Sequence, residues 1–574
     1  MIALIVRLLP TAVLCFWFAI AMHIYVPNIG GVGLNLPQNI LAWMAMASLI
    51  IIIWQVMPKN KRVTVTLFGT LLFLGIVLLL IPQLYTRPEW STHSLWRLAG
   101  LLGGGIFYFT LSQYRMPPRF RRVVFYALLL AVMLQALLTL LQLFFPELAH
   151  AWMAYRMGAS RPYGIFQQAN VLGSFLAVGV ALALMLFLFP AYKLTIPGYE
   201  YWRTRLLVLL LLLLPAVLVW VQSRTGWLGG GLAAVLMLLL AGRGSPQRSA
   251  IAVLLMVIGA GGASLMLWHG GLAEYGMRYT SHTFSNHARY TMLRDAIAMI
   301  MEKPLGGWGY GSFEYNFQHF RIHQTLPTTV TEIARHPHNE LLLWWIEGGV
   351  IALAGLAVLI VGGAILLMRA IRASRETNNK EGLALCLLLL PLVLHTQTEY
   401  PFYLSTLHWL LFLLLLAMLE RRVTPVMQRR RLPPLCKGFL SRGIRFSALG
   451  GVVLMLGALK GGYTLTMAEK SGFRLMDATV AMSFFSGWVH QERREFDLHM
   501  RSLQDFNRSG DERLLEHYAR WADDYLTRRI DANVYATLLQ ILQYRQQKAA
   551  ADRLRHEAAL LFPQDIRFAI KEAV

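Results

Sequence analysis

ANVLGSFLAVGVALALMLFLFP, residues 169–190, runs for 22 residues without an Asp, Glu, Lys or Arg. A helix of that length rises about 33 Å, enough to cross a hydrocarbon core of roughly 30 Å. Similar segments recur on both sides of it, at 5–26, 39–57, 63–82, 95–113, 123–145, 205–221, 226–241, 250–268, 339–368, 383–396, 402–419 and 444–463, making about thirteen candidate spans. The chain therefore reads as all-α: a polytopic helical membrane protein with a membrane domain over 1–463 and a soluble helical domain over 464–574.

The 53 Lys and Arg against 30 Asp and Glu give a net charge of +23. Clustered basic residues are the usual footprint of nucleic-acid binding. Here the tail from Glu469 is nearly balanced, and the excess lies in short loops: Lys59, Lys61 and Arg62; Arg115 to Arg122; Lys193 to Arg205; Arg243 and Arg248; Arg369 to Lys380; and 421–445. These loops alternate along the chain, so by the positive-inside rule they mark the cytoplasmic side. The expected partner is the lipid bilayer, with no nucleic acid. The long loop 269–338 falls on the other side, as does the tail from about 464 after an odd number of spans. Arg7 precedes the first apolar run as in a signal peptide, but no small-x-small cleavage site follows, so a retained signal anchor is expected. Cys15, Cys386 and Cys436 indicate no disulfide framework.

The long loop contains a predicted helix over 287–302, stopped by Pro304 and followed by GGWGYG at 306–311. This glycine run resembles a phosphate cradle, yet no strand precedes it and no Gly-Lys-Ser/Thr follows. In the tail, residues 532–565 read as a helical hairpin of tetratricopeptide type, with small residues at Ala551 and Ala558 and a stop at Pro563, although Leu539 occupies a position that the repeat fills with a small residue. One hairpin cannot bury its own apolar face, so it must stack on helices within 482–529 or on the membrane domain.

Polar chemistry concentrates in RHPHNELLLWWIEGG, 335–349, where a histidine cluster runs into an apolar helix. Pro337 suits a first helical position, which puts His338 in the first turn. A neutral imidazole there can accept a proton. Arg161, Arg224 and Arg289 lie in outer segments, and the planar fork of arginine binds phosphate bidentately, as a lipid-linked diphosphate requires. The plainer reading is that such arginines snorkel to phospholipid headgroups and that the histidines cap a helix. A zinc site from His336 and His338 with Glu332 or Glu340 lacks the His-x-x-x-His spacing, and no cysteine is near. No metal or other cofactor is called for. Glu347 in the apolar helix and Glu399 in HTQTEYPF are each placed to pair with an arginine.

Five stretches together resemble the O-antigen ligase superfamily, and within it the bacterial protein O-oligosaccharyltransferases of the PglL type: RPYGIFQQANVLGSFLA (161–177), SRTGWLGG (223–230), RYTMLRDA to KPLGGWGYGSF (289–313), HPHNELLLWWIEGGVIAL (336–353) and TEYPFYLSTLHW (398–409). The resemblance implies transfer of a glycan from an undecaprenyl-diphosphate carrier to an acceptor hydroxyl at the periplasmic face of the inner membrane, without nucleotide or metal. It also implies His338 as base with His336 beside it, and Arg224, Arg289 and Arg161 on the diphosphate. Asn339, Glu340 and Glu399 are supporting residues. Gln167 and Asn170 lie in a motif of the protein-glycosylating branch, where this chain has Gln168 in place of an expected Pro. Together with the soluble tail they favour a pilin-like protein acceptor over lipid A-core. An O-antigen ligase and a polysaccharide polymerase share the donor chemistry and remain alternatives. A lipid-linked glycan flippase would need a polar path through several helices, and an anchored tetratricopeptide adaptor would not need the histidine and arginine constellation.

Overall fold

Long Leu-, Val- and Ala-rich runs form the helices, and several begin with proline, whose missing N–H costs nothing in the first turn: Pro37–Val56, Pro118–Phe144, Pro197–Trp220 and Pro246–Trp268. The computed structural model describes residues 2–57, 63–114, 116–270, 283–330, 332–424, 430–431 and 433–569. Lys59, Lys61, Arg62 and Arg115 of the basic loops lie outside the described residues. Each of the expected apolar segments contains a helix. The others are Ile2–Ala19, Leu67–Leu80, Pro88–Gln113, Ala169–Leu188, Arg224–Ala241, Glu340–Thr377, Glu381–His395, Thr406–Val423 and Pro434–Lys470. Among the described residues, 9 helices are long and apolar enough to cross a membrane. Glu381–His395 is apolar but shorter, and Thr406–Val423 ends on Glu420, Arg421 and Arg422. The chain is thus an all-α, multi-pass membrane protein. A two-residue antiparallel ladder pairs Thr64 with Arg431 and Val65 with Arg430.

The chain divides into two compact units. The first comprises 1–73, 103–281 and 360–463, and the second 74–102, 282–359 and 464–574.

At the centre of the first unit is Ala169–Leu188, almost every residue of which is buried. It packs against Pro118–Phe144, Pro197–Trp220, Arg224–Ala241 and Glu381–His395. Small residues allow this approach, as is common between membrane helices. A Cβ on Gly179 would stand 2.2 Å from Val132 Cγ1, and one on Gly173 2.5 Å from Ser223 Cβ.

In the second unit the expected loop helix runs over Thr283–Glu302, and a helix that was not expected, Phe313–His323, comes after it. Met292, Ala296, Met299, Phe313 and Phe317 form a core with Leu343 and Ile346. The tail helices Gln491–Ser509, Glu512–Leu526, Ala532–Tyr544 and Lys548–Leu561 pack in sequence order. Their apolar faces, including Leu515, Tyr518, Val534, Leu538 and Ala558, close over Ile322 and Val330. The last hairpin therefore stacks on the preceding tail helices and on the loop. Ion pairs fasten the same contact: Arg529 reaches Glu314 at 2.8 Å and Glu492 at 2.6 Å, and His319 Nε2 lies 3.0 Å from Glu557 Oε1.

Candidate active site

The residues expected to act fall into two sets, one in each unit. In the first unit, the turn ahead of Ala169–Leu188 is clamped by two glutamines of Pro118–Phe144. Gln142 Oε1 accepts from the amides of Tyr163 (3.0 Å) and Gly164 (2.8 Å), and Gln135 Oε1 accepts from that of Ile165 (3.0 Å). Gly164 and Gln167 have positive φ, 60° and 59°, so the chain reverses tightly and presents Gln168 and Asn170 at the start of the helix. Arg161 Nη1 donates to the carbonyl of Gln222 at 3.1 Å. Ser223 next to it caps Arg224–Ala241, its hydroxyl accepting from Gly226 N at 3.1 Å. Arg224 is therefore the first residue of a capped helix, half-buried. Thr225 Oγ1 lies 2.9 Å from Thr398 Oγ1, which joins this turn to the Glu399 segment.

Glu399 anchors a chain of buried polar side chains. Its carboxylate accepts from Asn170 Nδ2 at 2.6 Å and Gln168 Nε2 at 2.9 Å. Gln168, at the position where the motif expects Pro, thus contributes directly to this contact. His395 Nε2 lies 3.2 Å from Glu399 Oε2, and its Nδ1 lies 2.8 Å from Ser174 Oγ. Ser174 Oγ is also 3.0 Å from His408 Nε2, and His408 Nδ1 is 3.0 Å from Ser405 Oγ. Glu399, His395, Ser174, His408 and Ser405 are all buried. Sequence reasoning missed this relay beyond Glu399, because its members are single polar residues in separate apolar helices.

The second unit carries the histidine cluster. The helix begins at Glu340, and Asn339 caps it, Oδ1 accepting from Leu342 N at 3.1 Å. This corrects the expectation that Pro337 opens the helix and that His338 lies in its first turn. His338 has φ 53°, a left-handed conformation outside any helix, and asparagine is a far better cap than proline. The rings of His336 and His338 are 6.5 Å apart. His336 is buried, and burial, with His338 and Arg97 nearby, pushes its pKa well below the usual imidazole value. Glu340 accepts from Trp344 Nε1 at 3.1 Å.

Glu347 pairs with an arginine, as expected of it; the partner is Arg97, whose guanidinium also lies over the rings of Trp344 and Tyr310 at 4.7 and 5.2 Å. Glu347 Oε1 further accepts from Gly311 N (3.0 Å) and Phe313 N (3.2 Å). Trp308 N and Gly309 N donate to the carbonyls of Ile346 and Glu347, and Val350 N donates to Leu305 O. The glycine run thus gives its amides to a neighbouring helix that is broken at Gly349 (φ 61°, ψ −155°), which explains its cradle-like composition without a nucleotide. A Cβ on Gly349 would lie 2.0 Å from Leu305 O.

Arg289 sits half-buried on Thr283–Glu302. Farther along that helix the fully buried Asp295 binds Arg321 Nε at 3.0 Å and Arg294 Nη2 at 2.7 Å, which locks Thr283–Glu302 to Phe313–His323. Arg97 was not found from the sequence, since its partner Glu347 lies 250 positions away, nor was this ion cluster, which joins residues of two helices. Among the described residues, no group of three His, Cys, Asp or Glu side chains is placed to hold a metal ion.

Two family models match the chain. One, described as O-Antigen ligase, covers residues 207–357 and includes Arg224, Arg289, His336 and His338. The other, described as Virulence factor membrane-bound polymerase, C-terminal, covers 383–573 and includes Glu399 and the tail helices. A comparison with curated proteins gives no match. The members of the first family are membrane ligases and polymerases resembling glycosyltransferases. Matched in chain order, the two models support the O-antigen ligase superfamily for this chain.

Proposed function

We propose that the chain is an O-linked oligosaccharyltransferase of the bacterial inner membrane, moving a glycan from undecaprenyl diphosphate to Ser or Thr hydroxyls of periplasmic proteins such as pilins. The observation that carries this reading is His338: a histidine in a left-handed turn, beside a buried neutral histidine and ahead of an Asn-capped apolar helix, inside the segment matched as O-antigen ligase.

In the proposed reaction His338 takes the proton of the acceptor hydroxyl. The hydroxyl oxygen bonds to the anomeric carbon as the bond from that carbon to the diphosphate breaks. Undecaprenyl diphosphate leaves, and Arg224 and Arg289, with Arg161, hold its charge. Positioned general-base catalysis is typically worth about 10²- to 10⁴-fold, and charge stabilisation of the leaving diphosphate contributes comparably. Guanidinium groups supply the positive charge that a metal would otherwise provide. The tail helices, read as a tetratricopeptide-like stack on the periplasmic side, offer a platform for a protein acceptor.

A second reading is polymerase or ligase activity, with another lipid-linked glycan or lipid A-core as acceptor. It is favoured by the polymerase description of the model that matches the tail. The test is expression of the wild-type chain with a pilin in a host that makes one defined lipid-linked glycan and lacks its own O-antigen ligase. Glycan on the pilin supports the proposal. Glycan on lipid A-core with unmodified pilin replaces it with the ligase reading, and elongated carrier-linked glycan replaces it with the polymerase reading.

A further inference from the structure

At the other end of the first unit from Glu399, the starts of Pro118–Phe144 and Glu381–His395 and the ends of Ala169–Leu188, Arg224–Ala241 and Thr406–Val423 line an open cavity of about 470 Å³. That volume falls among small-molecule sites, roughly 300–1,000 Å³. Its lining carries four basic side chains, Arg121, Arg122, Lys380 and Arg422, and one acidic residue, Glu381. Glu381 is shared: Arg121 Nη2 lies 3.0 Å and Arg422 Nε 2.8 Å from its oxygens, and Tyr192 donates to it at 3.2 Å. Lys380 Nζ donates to the carbonyl of Leu240 at 2.9 Å, which fixes the ammonium at the rim. A single carboxylate serves two arginines, so the cavity keeps an excess of positive charge. Leu188 and Phe189 supply an apolar wall beside it.

Position narrows the occupant. Ala169–Leu188 has 20 residues and so spans about 30 Å, the thickness of a hydrocarbon core. Asn170 at one end bonds Glu399, and Leu188 at the other lines the cavity. The cavity therefore belongs to the opposite membrane interface, where headgroups meet acyl chains. A cationic rim with an apolar wall at that depth matches a phosphate joined to a lipid tail. A cation would be repelled there, and a zwitterionic headgroup would leave the excess charge unanswered.

We propose that this cavity binds the phosphate of an anionic membrane lipid, at the interface opposite Glu399. Basic pockets between membrane helices bind acidic headgroups in this way, and the arginine fork suits phosphate oxygens. The site is independent of the catalytic reading and would persist if that reading failed.

The test titrates the delipidated full-length chain in detergent with dioleoyl phosphatidylglycerol or dioleoyl phosphatidylcholine and counts bound lipid by native mass spectrometry, with and without inorganic phosphate. Phosphatidylglycerol should bind at least tenfold more tightly than phosphatidylcholine. R122Q/K380Q should weaken it about fivefold for each side chain removed, the size of one electrostatic headgroup contact. R122K/K380R, which keeps the charge, should bind as wild type does, so a folding defect is separated from a lost site. R119Q, which removes an exposed charge from the same helix start outside the cavity lining, should change binding less than twofold. Equal binding of the two lipids, or an equal loss in R119Q, overturns the proposal. Displacement of phosphatidylglycerol by millimolar inorganic phosphate assigns the site to a soluble phosphate anion and overturns the lipid assignment.

Discussion

The rings of His336 and His338 lie 6.5 Å apart at 77°, and those of His395 and His408 lie 6.3 Å apart at 78°. Their surroundings differ. In the first unit all four ring nitrogens of His395 and His408 are engaged by Glu399, Ser174 and Ser405. Such a network fixes each ring and leaves no nitrogen to take a substrate proton. In the second unit His338 is half-buried on left-handed backbone, next to a cap and beside the buried His336. Ring spacing alone therefore says little about role. What marks a positioning pair is that every ring nitrogen is committed within a buried relay.

The two buried carboxylates extend the same contrast. Glu347 is held by a guanidinium and two amides, Glu399 by two side-chain amides and an imidazole. E347A leaves the half-buried charge of Arg97 uncompensated and two backbone amides without their acceptor, and should lower the free energy of chemical unfolding in detergent by about 3 kcal/mol. E399A strands the side-chain amides of Gln168 and Asn170 and one nitrogen of His395, and should cost about 2 kcal/mol in the same measurement. A larger loss for E399A than for E347A would break the comparison.

His336 adds a pH dependence. Burial, with His338 and Arg97 nearby, holds its folded pKa well below the ordinary value of about 6.5. Between that depressed value and about 6.5 the unfolded chain takes up a proton that the folded chain does not. Stability is therefore fully present above about pH 6.5 and falls as pH drops through that window, by at most about 1.4 kcal/mol per pH unit. Unfolding free energies measured from pH 7.5 to 5 should show this slope in wild type, flattened in H336Q. The smallest effect is expected for the helix cap: N339A should cost about 1 kcal/mol, seen as faster amide exchange at Leu342 while the tail is unchanged.

Much of this was legible in the sequence, and the limits have physical causes. Uninterrupted apolar runs located the helices, because crossing a membrane requires about 20 apolar residues in a row. The histidine motif and Glu399 stood out as polar groups next to such runs. The relay did not, because Ser174 and His408 are 234 positions apart and each alone looks like one polar residue in an apolar helix. Arg97 and Glu347, 250 positions apart, were hidden likewise, although Glu347 itself was marked as needing an arginine. The start of the helix was misplaced because Pro337 and Asn339 are both start signals, and the capping side chain prevailed. The glycine run has the composition of a phosphate loop because glycine also serves where backbone must meet backbone closely.

The central claim is that His338 performs the chemistry and that His395 positions. Its most direct test is the rate of glycan transfer from an undecaprenyl-diphosphate donor to pilin by purified wild type, H338A and H395A, each normalised to folded protein. H338A should keep wild-type unfolding behaviour to within about 1 kcal/mol and lose at least about 10²-fold in rate. H395A should lose stability while its rate per folded molecule stays within several-fold of wild type. Wild-type turnover in H338A, or abolished turnover in a fully folded H395A, would contradict the account.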